Sequence, residues 1–307
     1  LARQYGLVPA IAARPWRQHC VTSEPHQQEV PMSVFRSQWR AALAPVVRAL
    51  CTLAAAAAVA VPAAQAGPVQ KRVADQSTVR VCIWPDYYGI TFRNPRSQQL
   101  VGIDIDLSAE FAKDLGVKLQ YVETSFPKFA ADLTEDRCDV AMFAVGITPQ
   151  RSQVLRFSRP YLRSDIYGIT TRSNRTVRGW EDIDRPGILV GVQAGTFMEP
   201  VMIARLKQAK VVVIAPPRTR EQELEAGRID VFMSDYPYTR RLLDNADWAR
   251  LVPPTSTFNP VSYGYAVKPG DDEWLRAVDG FVEKIRADGR LSAAARRHGL
   301  SEIVARD

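Results

Sequence analysis

The chain has 307 residues, 46% hydrophobic and 24% charged, with 40 basic against 33 acidic side chains and a net charge of +7. No dense basic run points to nucleic acid, and beyond the N-terminal region no apolar run reaches the length of a membrane span. Of three histidines and four cysteines only His298, Cys82 and Cys138 lie beyond residue 66, too little for a histidine-rich or cysteine-based zinc site there.

Residues 32–66 read as an export signal: Met32, then Arg36, Arg40 and Arg48, an alanine-rich apolar run, and Ala64-Gln-Ala66 as a small-residue cleavage site. Residues 1–31 lack periodicity and read as an extension that is not part of the working protein. Leu50 before Cys51 makes a poor lipobox, so a soluble periplasmic product is expected rather than a lipoprotein. Removing the first 66 residues takes away six Arg and two acids, leaving 34 basic and 31 acidic side chains, a net +3. His19 and His26 leave with them. His298 then stands alone near a helix C-terminus, where a structural role suits it and a Ser-His-Asp triad has no other base to use. Cys82 and Cys138 each adjoin an apolar run; in an oxidising compartment they form either a disulfide or two buried thiols, and both remain open.

From Gly67 onward, 241 residues suit one large domain or two modest ones. The pattern predicts a strand at 79–84, a helix at 107–115 stopped by Gly116, a strand at 117–122, a helix at 128–135 and a strand at 140–144. Beyond Gly146, Thr148 is a good N-cap and Pro149 suits the first helical position. Arg151 then falls in the first turn, where a cation is usually disfavoured. It either pairs with a nearby acid or grips a ligand carboxylate. The alternation resumes with strands at 188–193, 211–214, 231–233 and 264–267, and helices at 199–208, 221–226, 238–243, 272–287 and 291–297. Such alternation argues for α/β layers with parallel sheets.

One internal echo matters. Leu133-Thr-Glu-Asp-Arg-Cys-Asp-Val-Ala-Met142 and Leu224-Glu-Ala-Gly-Arg-Ile-Asp-Val-Phe-Met233 share the spacing of Leu, Arg, Asp-Val and Met. Either helix-to-strand turns share chemistry, or the chain holds two similar α/β lobes. In the second case each lobe presents residues at the carboxyl end of its strand, where ligands sit in open α/β sheets. Arg151 on one wall and Asp235 on the other would suit a zwitterion.

With these residues in view the chain resembles the periplasmic solute-binding proteins that feed polar-amino-acid ABC transporters. The resemblance runs from about Ser77 to about Val304. It rests on ordered motifs: Val101-Gly-Ile-Asp-Ile-Asp-Leu107, Cys138-Asp-Val, Ile147-Thr-Pro-Gln-Arg151, Phe157-Ser-Arg-Pro-Tyr161, Val192-Gln-Ala-Gly-Thr196, Ile229-Asp-Val, Met233-Ser-Asp235 and Ala266-Val-Lys-Pro-Gly270. It implies two Rossmann-like α/β lobes joined by two hinge strands, the type II periplasmic binding fold. Residues 77–164 and 263–307 would form the first lobe and 165–262 the second, with crossings near Asp165 and Ser262. It further implies that Arg151 grips the ligand's α-carboxylate and Asp235 accepts the α-ammonium. Thr196 would meet the carboxylate, and Phe126 and Tyr87 would flank the ligand side chain. A monomer handing its solute to an inner-membrane permease is expected, with no cofactor, no metal and no catalytic group.

The departures narrow the ligand. Gly146 stands where the family commonly has Ser or Thr, Phe143 and Ala144 replace small polar residues, Trp84 replaces an acid, and Phe197 stands where a polar side chain is frequent. A drier, more aromatic cleft favours an apolar or aromatic amino acid, or a non-amino carboxylate, over histidine, arginine or glutamate. Two other classes share the fold. Cyclohexadienyl dehydratases use a cleft acid to expel a leaving group, for which Glu123, Glu199 and Asp235 are the acids within reach. Accessory proteins of quinoprotein dehydrogenases resemble the Cys82 and Cys138 segments.

Overall fold

The computed structural model describes residues 67–306. The leader at 32–66, the extension at 1–31 and Cys51 lie outside the described residues. In chain order come α1 (Pro68–Gln76), β1 (Thr78–Ile83), β2 (Asp86–Tyr87), β3 (Thr91–Arg93), β4 (Leu100–Val101), α2 (Ile103–Leu115), β5 (Lys118–Glu123), α3 (Phe129–Thr134), β6 (Val140–Gly146), α4 (Pro149–Ser152), β7 (Arg156–Phe157) and β8 (Leu162–Ser164). Then follow β9 (Ile166–Thr171), β10 (Leu189–Gln193), α5 (Met198–Arg205), β11 (Lys210–Ile214), α6 (Arg220–Glu225), β12 (Val231–Asp235), α7 (Tyr236–Leu243) and β13 (Ala249–Val252). The chain closes with β14 (Val261–Val267), α8 (Asp272–Ala287) and α9 (Arg290–Arg297).

Two main sheets are built alike. The first runs β5-β1-β6-β14-β7, with β8 also on β14; the second runs β11-β10-β12-β9-β13. In each, a central strand (β6 or β12) lies parallel to the lobe's leading strand and antiparallel to a strand from the crossing region. Both central strands are buried along their whole length, as expected for apolar runs covered on two faces.

The sequence echo is a structural repeat. Asp139 accepts the Arg80 N–H at 2.7 Å and returns its own N–H to the Arg80 carbonyl at 2.8 Å. Asp230 does the same with Leu189, at 2.8 and 2.9 Å. Arg137 pairs with Asp132 five residues back, and Arg228 with Glu223 at the same interval. In both lobes the Asp of Asp-Val thus pins the central strand to the leading one.

The first lobe's core lies between its sheet and the helices α2 and α8. Phe111 on α2 meets Trp274 and Phe281 on α8, with ring centroids 5.7 and 4.9 Å apart. Gly116 ends α2 in the left-handed conformation, φ 68°, as its sequence position predicts. α2 begins at Ile103, one turn earlier than the apolar periodicity suggests, because Ile103 and the buried Asp104 turn inward. Cys82 and Cys138 form a disulfide with Cα atoms 5.6 Å apart, tying β1 to the approach to β6.

The two sheets are joined where β8 runs into β9 and where the chain returns from β13 to β14. Asp165, between β8 and β9, accepts N–H groups from Ile166, Phe258 and Asn259 at 2.7–2.8 Å. One carboxylate therefore holds both crossings. The strands β9 and β13 and the small sheet β2-β3-β4 carry no strong apolar period, and sequence patterning misses them.

Candidate functional site

The carboxyl ends of β6 and β12 face one another between the lobes, and the residues singled out in the sequence gather there. α4 starts as its capping residues dictate: Thr148 Oγ1 accepts the Arg151 N–H at 3.2 Å, and Pro149 takes the first helical position. This turns the Arg151 side chain back toward β6. Its Nη1 donates to the Gly146 carbonyl at 2.8 Å, and its Nη2 crosses to the second lobe, donating to the Gly195 carbonyl at 3.0 Å. Phe126 and Phe129 flank the guanidinium at 5.5 and 5.4 Å. Desolvation lowers the Arg151 pKa to about 10, so it remains a cation at neutral pH. No carboxylate pairs with it among the described residues.

Gly146 leaves this arrangement room. A Cβ there would come within 3.3 Å of Arg151 Nη1 and 3.1 Å of the Phe197 ring. The departure from Ser or Thr at this position thus matches the space that the arginine and Phe197 occupy.

On the opposite wall Asp235 ends β12 and caps α7, its Oδ1 accepting the Tyr238 N–H at 3.2 Å. Its Oδ2 accepts the Tyr263 hydroxyl at 2.6 Å and a short hydrogen bond from the Tyr87 hydroxyl of the first lobe. Burial raises the Asp235 pKa, while the two phenols, the capping N–H and the Arg220 charge pull it back. Burial also pushes the Tyr87 and Tyr263 hydroxyls well above their ordinary value, so both remain donors.

The space between the lobes is divided. An inner cavity of about 20 Å³ is lined by Trp84, Tyr87, Ala144 and Asp235 among others, and an outer one of about 1120 Å³ contains Arg151 and Glu199. Phe126, Thr196 and Phe197 line both. Arg151 and Asp235 therefore occupy neighbouring compartments, separated by aromatic side chains, and do not share one pocket. Trp84 packs on Tyr87 and Phe126 at 5.5 and 5.3 Å, which gives the inner compartment its aromatic walls. Thr196 is buried, its hydroxyl donating to the Gln193 carbonyl at 2.7 Å.

Sequence reasoning missed three contributors. Tyr263 sits at the start of an ordinary-looking strand and reaches Asp235 only through the return crossing. Arg220, in a polar stretch that reads as a solvated helix, is buried and lines the inner cavity. Ser234, next to Asp235, lies beside it. Of the other acids, Glu123 pairs with Arg93 and Glu199 accepts the Gly195 N–H at 2.7 Å. His298 contacts Asp106 at 2.9 Å, away from the cleft.

Comparison with known proteins agrees with this architecture. Cyclohexadienyl dehydratase of Pseudomonas aeruginosa is 30% identical over 247 residues, 80% of this chain and 91% of that protein. The L-cystine-binding protein TcyJ of Escherichia coli K12 is 26% identical over 227 residues, covering 74% and 84% of the two chains. Among solved structures, the ancestral amino acid-binding protein AncCDT-1, described as a precursor of cyclohexadienyl dehydratase, superposes with a TM-score of 0.67 at 28% identity, over 74% of this chain and 97% of its own. The arginine-bound substrate-binding protein AbpA of Streptococcus pneumoniae shares the fold, with a TM-score of 0.68 at 24% identity over 76% and 100% of the two chains. Residues 79–301 match the family as a whole, and the chain belongs to the bacterial extracellular solute-binding proteins, family 3.

Proposed function

We propose that the protein binds a small carboxylate-bearing solute, an amino acid or a related compound of apolar or aromatic character, between its lobes. It then delivers that solute to the permease of an ABC transporter in the inner membrane. In this reading the protein is exported by the leader at 32–66 and works in the periplasm as a monomer, without a cofactor. Arg151 takes the ligand carboxylate, with Gly146 leaving room for the guanidinium and Thr196 meeting the carboxylate from the other lobe. Asp235 takes the ammonium or hydroxyl, and Tyr87, Trp84, Phe126 and Phe197 enclose the side chain.

One observation carries the reading: each charged group on one wall is held by a group of the opposite lobe. Arg151 of the first lobe donates to Gly195 of the second, and Tyr87 of the first donates to Asp235 of the second. A solute that replaces these partners touches both lobes at once, and that differential contact is what drives closure about a hinge. The inner cavity of about 20 Å³ holds roughly one water, so the lobes must part before a solute enters. The test is a thermal-shift screen of the purified protein, unfolded and refolded once to release carried-over solute, against amino acids, keto acids and aromatic carboxylates. A clear shift with one compound class is expected, since a ligand at a hundred times its Kd stabilises by about 2.7 kcal/mol. A flat screen refutes the reading, and tight binding of a basic amino acid refutes the apolar specificity.

A second reading, a dehydratase on the same scaffold, is favoured by Asp235, an acid of raised pKa in the aromatic inner compartment. Turnover of prephenate or arogenate that disappears in Asp235→Asn would decide for it.

A further inference from the structure

The inner cavity contains a cation that the proposed carboxylate grip does not use. Arg220 is only 3% exposed, and although Asp235 feels its charge, no carboxylate forms an ion pair with it among the described residues. Its Nη1 donates to the Met233 carbonyl at 3.0 Å and to Ser234 Oγ at 3.3 Å. The rings of Tyr238 and Phe232 lie 4.4 and 5.2 Å from its central carbon. Nε and Nη2 make no hydrogen bond to the protein among the described residues, and neither is sealed from the cavity. Two partly sheltered arginines away from the cleft behave differently: Arg80 pairs with Asp139, and Arg290 with Glu110, Asp114 and Asp288. Asp235, the acid beside Arg220 in the cavity wall, already spends its oxygens on Tyr87, Tyr263 and the Tyr238 N–H.

Removing a guanidinium from water costs several kcal/mol unless an anion replaces the lost hydration. The Nε–Nη2 edge that remains is the planar fork that matches a carboxylate bidentately. We infer that Arg220 is a specificity-determining residue that receives a second anionic group of the bound solute, so that the cleft selects small dicarboxylates over monocarboxylates. Arg151 and Arg220 stand in adjoining compartments, divided by the Phe126 and Phe197 side chains that line both. A solute with acid groups at its two ends and an apolar or ring-like middle spans that partition. Ser234, already beside Nη1, offers its hydroxyl proton to the same group. This inference rests on the solute-binding reading and narrows its ligand class.

The test uses matched acid and amide pairs, titrated by calorimetry into the purified protein: succinate with succinamate, and 4-carboxyphenylalanine with 4-carbamoylphenylalanine. The diacid of at least one pair should bind about ten-fold or more tightly than its amide, the factor expected for one charge-assisted contact. Arg220→Ala should erase that gap, the ratio of the diacid and amide Kd values being the readout. Arg220→Gln, which retains donors toward Met233 and Ser234 but not the charge, should do the same if the alanine variant misfolds. Equal binding of diacid and amide, or a gap that survives both Arg220 variants, overturns this inference while leaving solute binding intact. Binding by none of the compounds overturns it together with the reading beneath it.

Discussion

At the scale of the residue, Arg151 is a charge whose partners are neutral. Arg151 meets two backbone carbonyls and two phenyl rings, a set that solvates a cation without cancelling it. An incoming carboxylate therefore gains a nearly full charge interaction. Arg151→Ala should lower affinity for the carboxylate solute by roughly 2–5 kcal/mol, the range for truncating one side of a buried charged contact. Calorimetry on the variant, with its melting temperature as a check on folding, measures this. Asp104 is a different case. It lies buried in the first lobe, accepting the Tyr161 hydroxyl at 2.5 Å, the Ala144 N–H at 2.9 Å and the Tyr265 hydroxyl at 3.1 Å. Burial raises its pKa from 3.8 to about 7 in spite of these donors. The folded state thus retains a proton that the unfolded chain gives up at lower pH. Its stabilising contribution is full below the unfolded pKa and is lost as pH rises through about 7. Urea midpoints taken across that interval should fall with pH, and Asp104→Asn should reduce the slope.

At the scale of the element, the alternation of helix and strand was legible because each central strand is an apolar run preceded by Asp-Val and a helix. The α4 turn was legible for the same kind of reason: Thr148 and Pro149 are local determinants, and they position Arg151 as their chemistry predicts. Elements that depend on distant partners were not legible. β9 pairs antiparallel to β12 and β13, and its Thr and Tyr side chains carry no period of their own. Arg220 looks like a surface residue because the rings that shelter it, Phe232 and Tyr238, belong to β12 and α7. The cysteine pair left two outcomes open, and only the adjacency of β1 and β6 decides for the bridge. The bridge closes a loop with a sequence separation of 56 residues. By chain entropy its removal in Cys82→Ser with Cys138→Ser should cost about 4 kcal/mol at most. Denaturant unfolding of the double variant, compared with the oxidised protein, reads this directly.

At the scale of the whole molecule, a glycine of the second lobe lies close against the first-lobe backbone. Gly195 adopts φ +74°, and a Cβ placed on it would lie 2.8 Å from the Phe126 carbonyl carbon and 2.7 Å from the Pro127 nitrogen, both in the first lobe. Gly195→Ala should therefore oppose closure more than it disturbs either lobe, since the turn itself carries the strain only of one left-handed residue. Solute affinity should fall while the first lobe's unfolding is little changed, and small-angle scattering with saturating solute should show a less contracted particle than the parent protein. The shared wiring of the two lobes, Asp139 to Arg80 and Asp230 to Leu189, ties the central strand of each to its neighbour, so that each lobe would move as a plate in the proposed closure.

Asp165 would restrict the paths open to those plates in the proposed closure. Because a single carboxylate clasps N–H groups of Ile166, Phe258 and Asn259, neither crossing can slide past the other without breaking that clasp. Rotation remains, and rotation opens only the rim far from the pivot. The protein then behaves as a door and not as a sieve. Under the proposed function, solute would enter and leave through the same rim, and a membrane partner receiving it would face that rim and the edges of both plates.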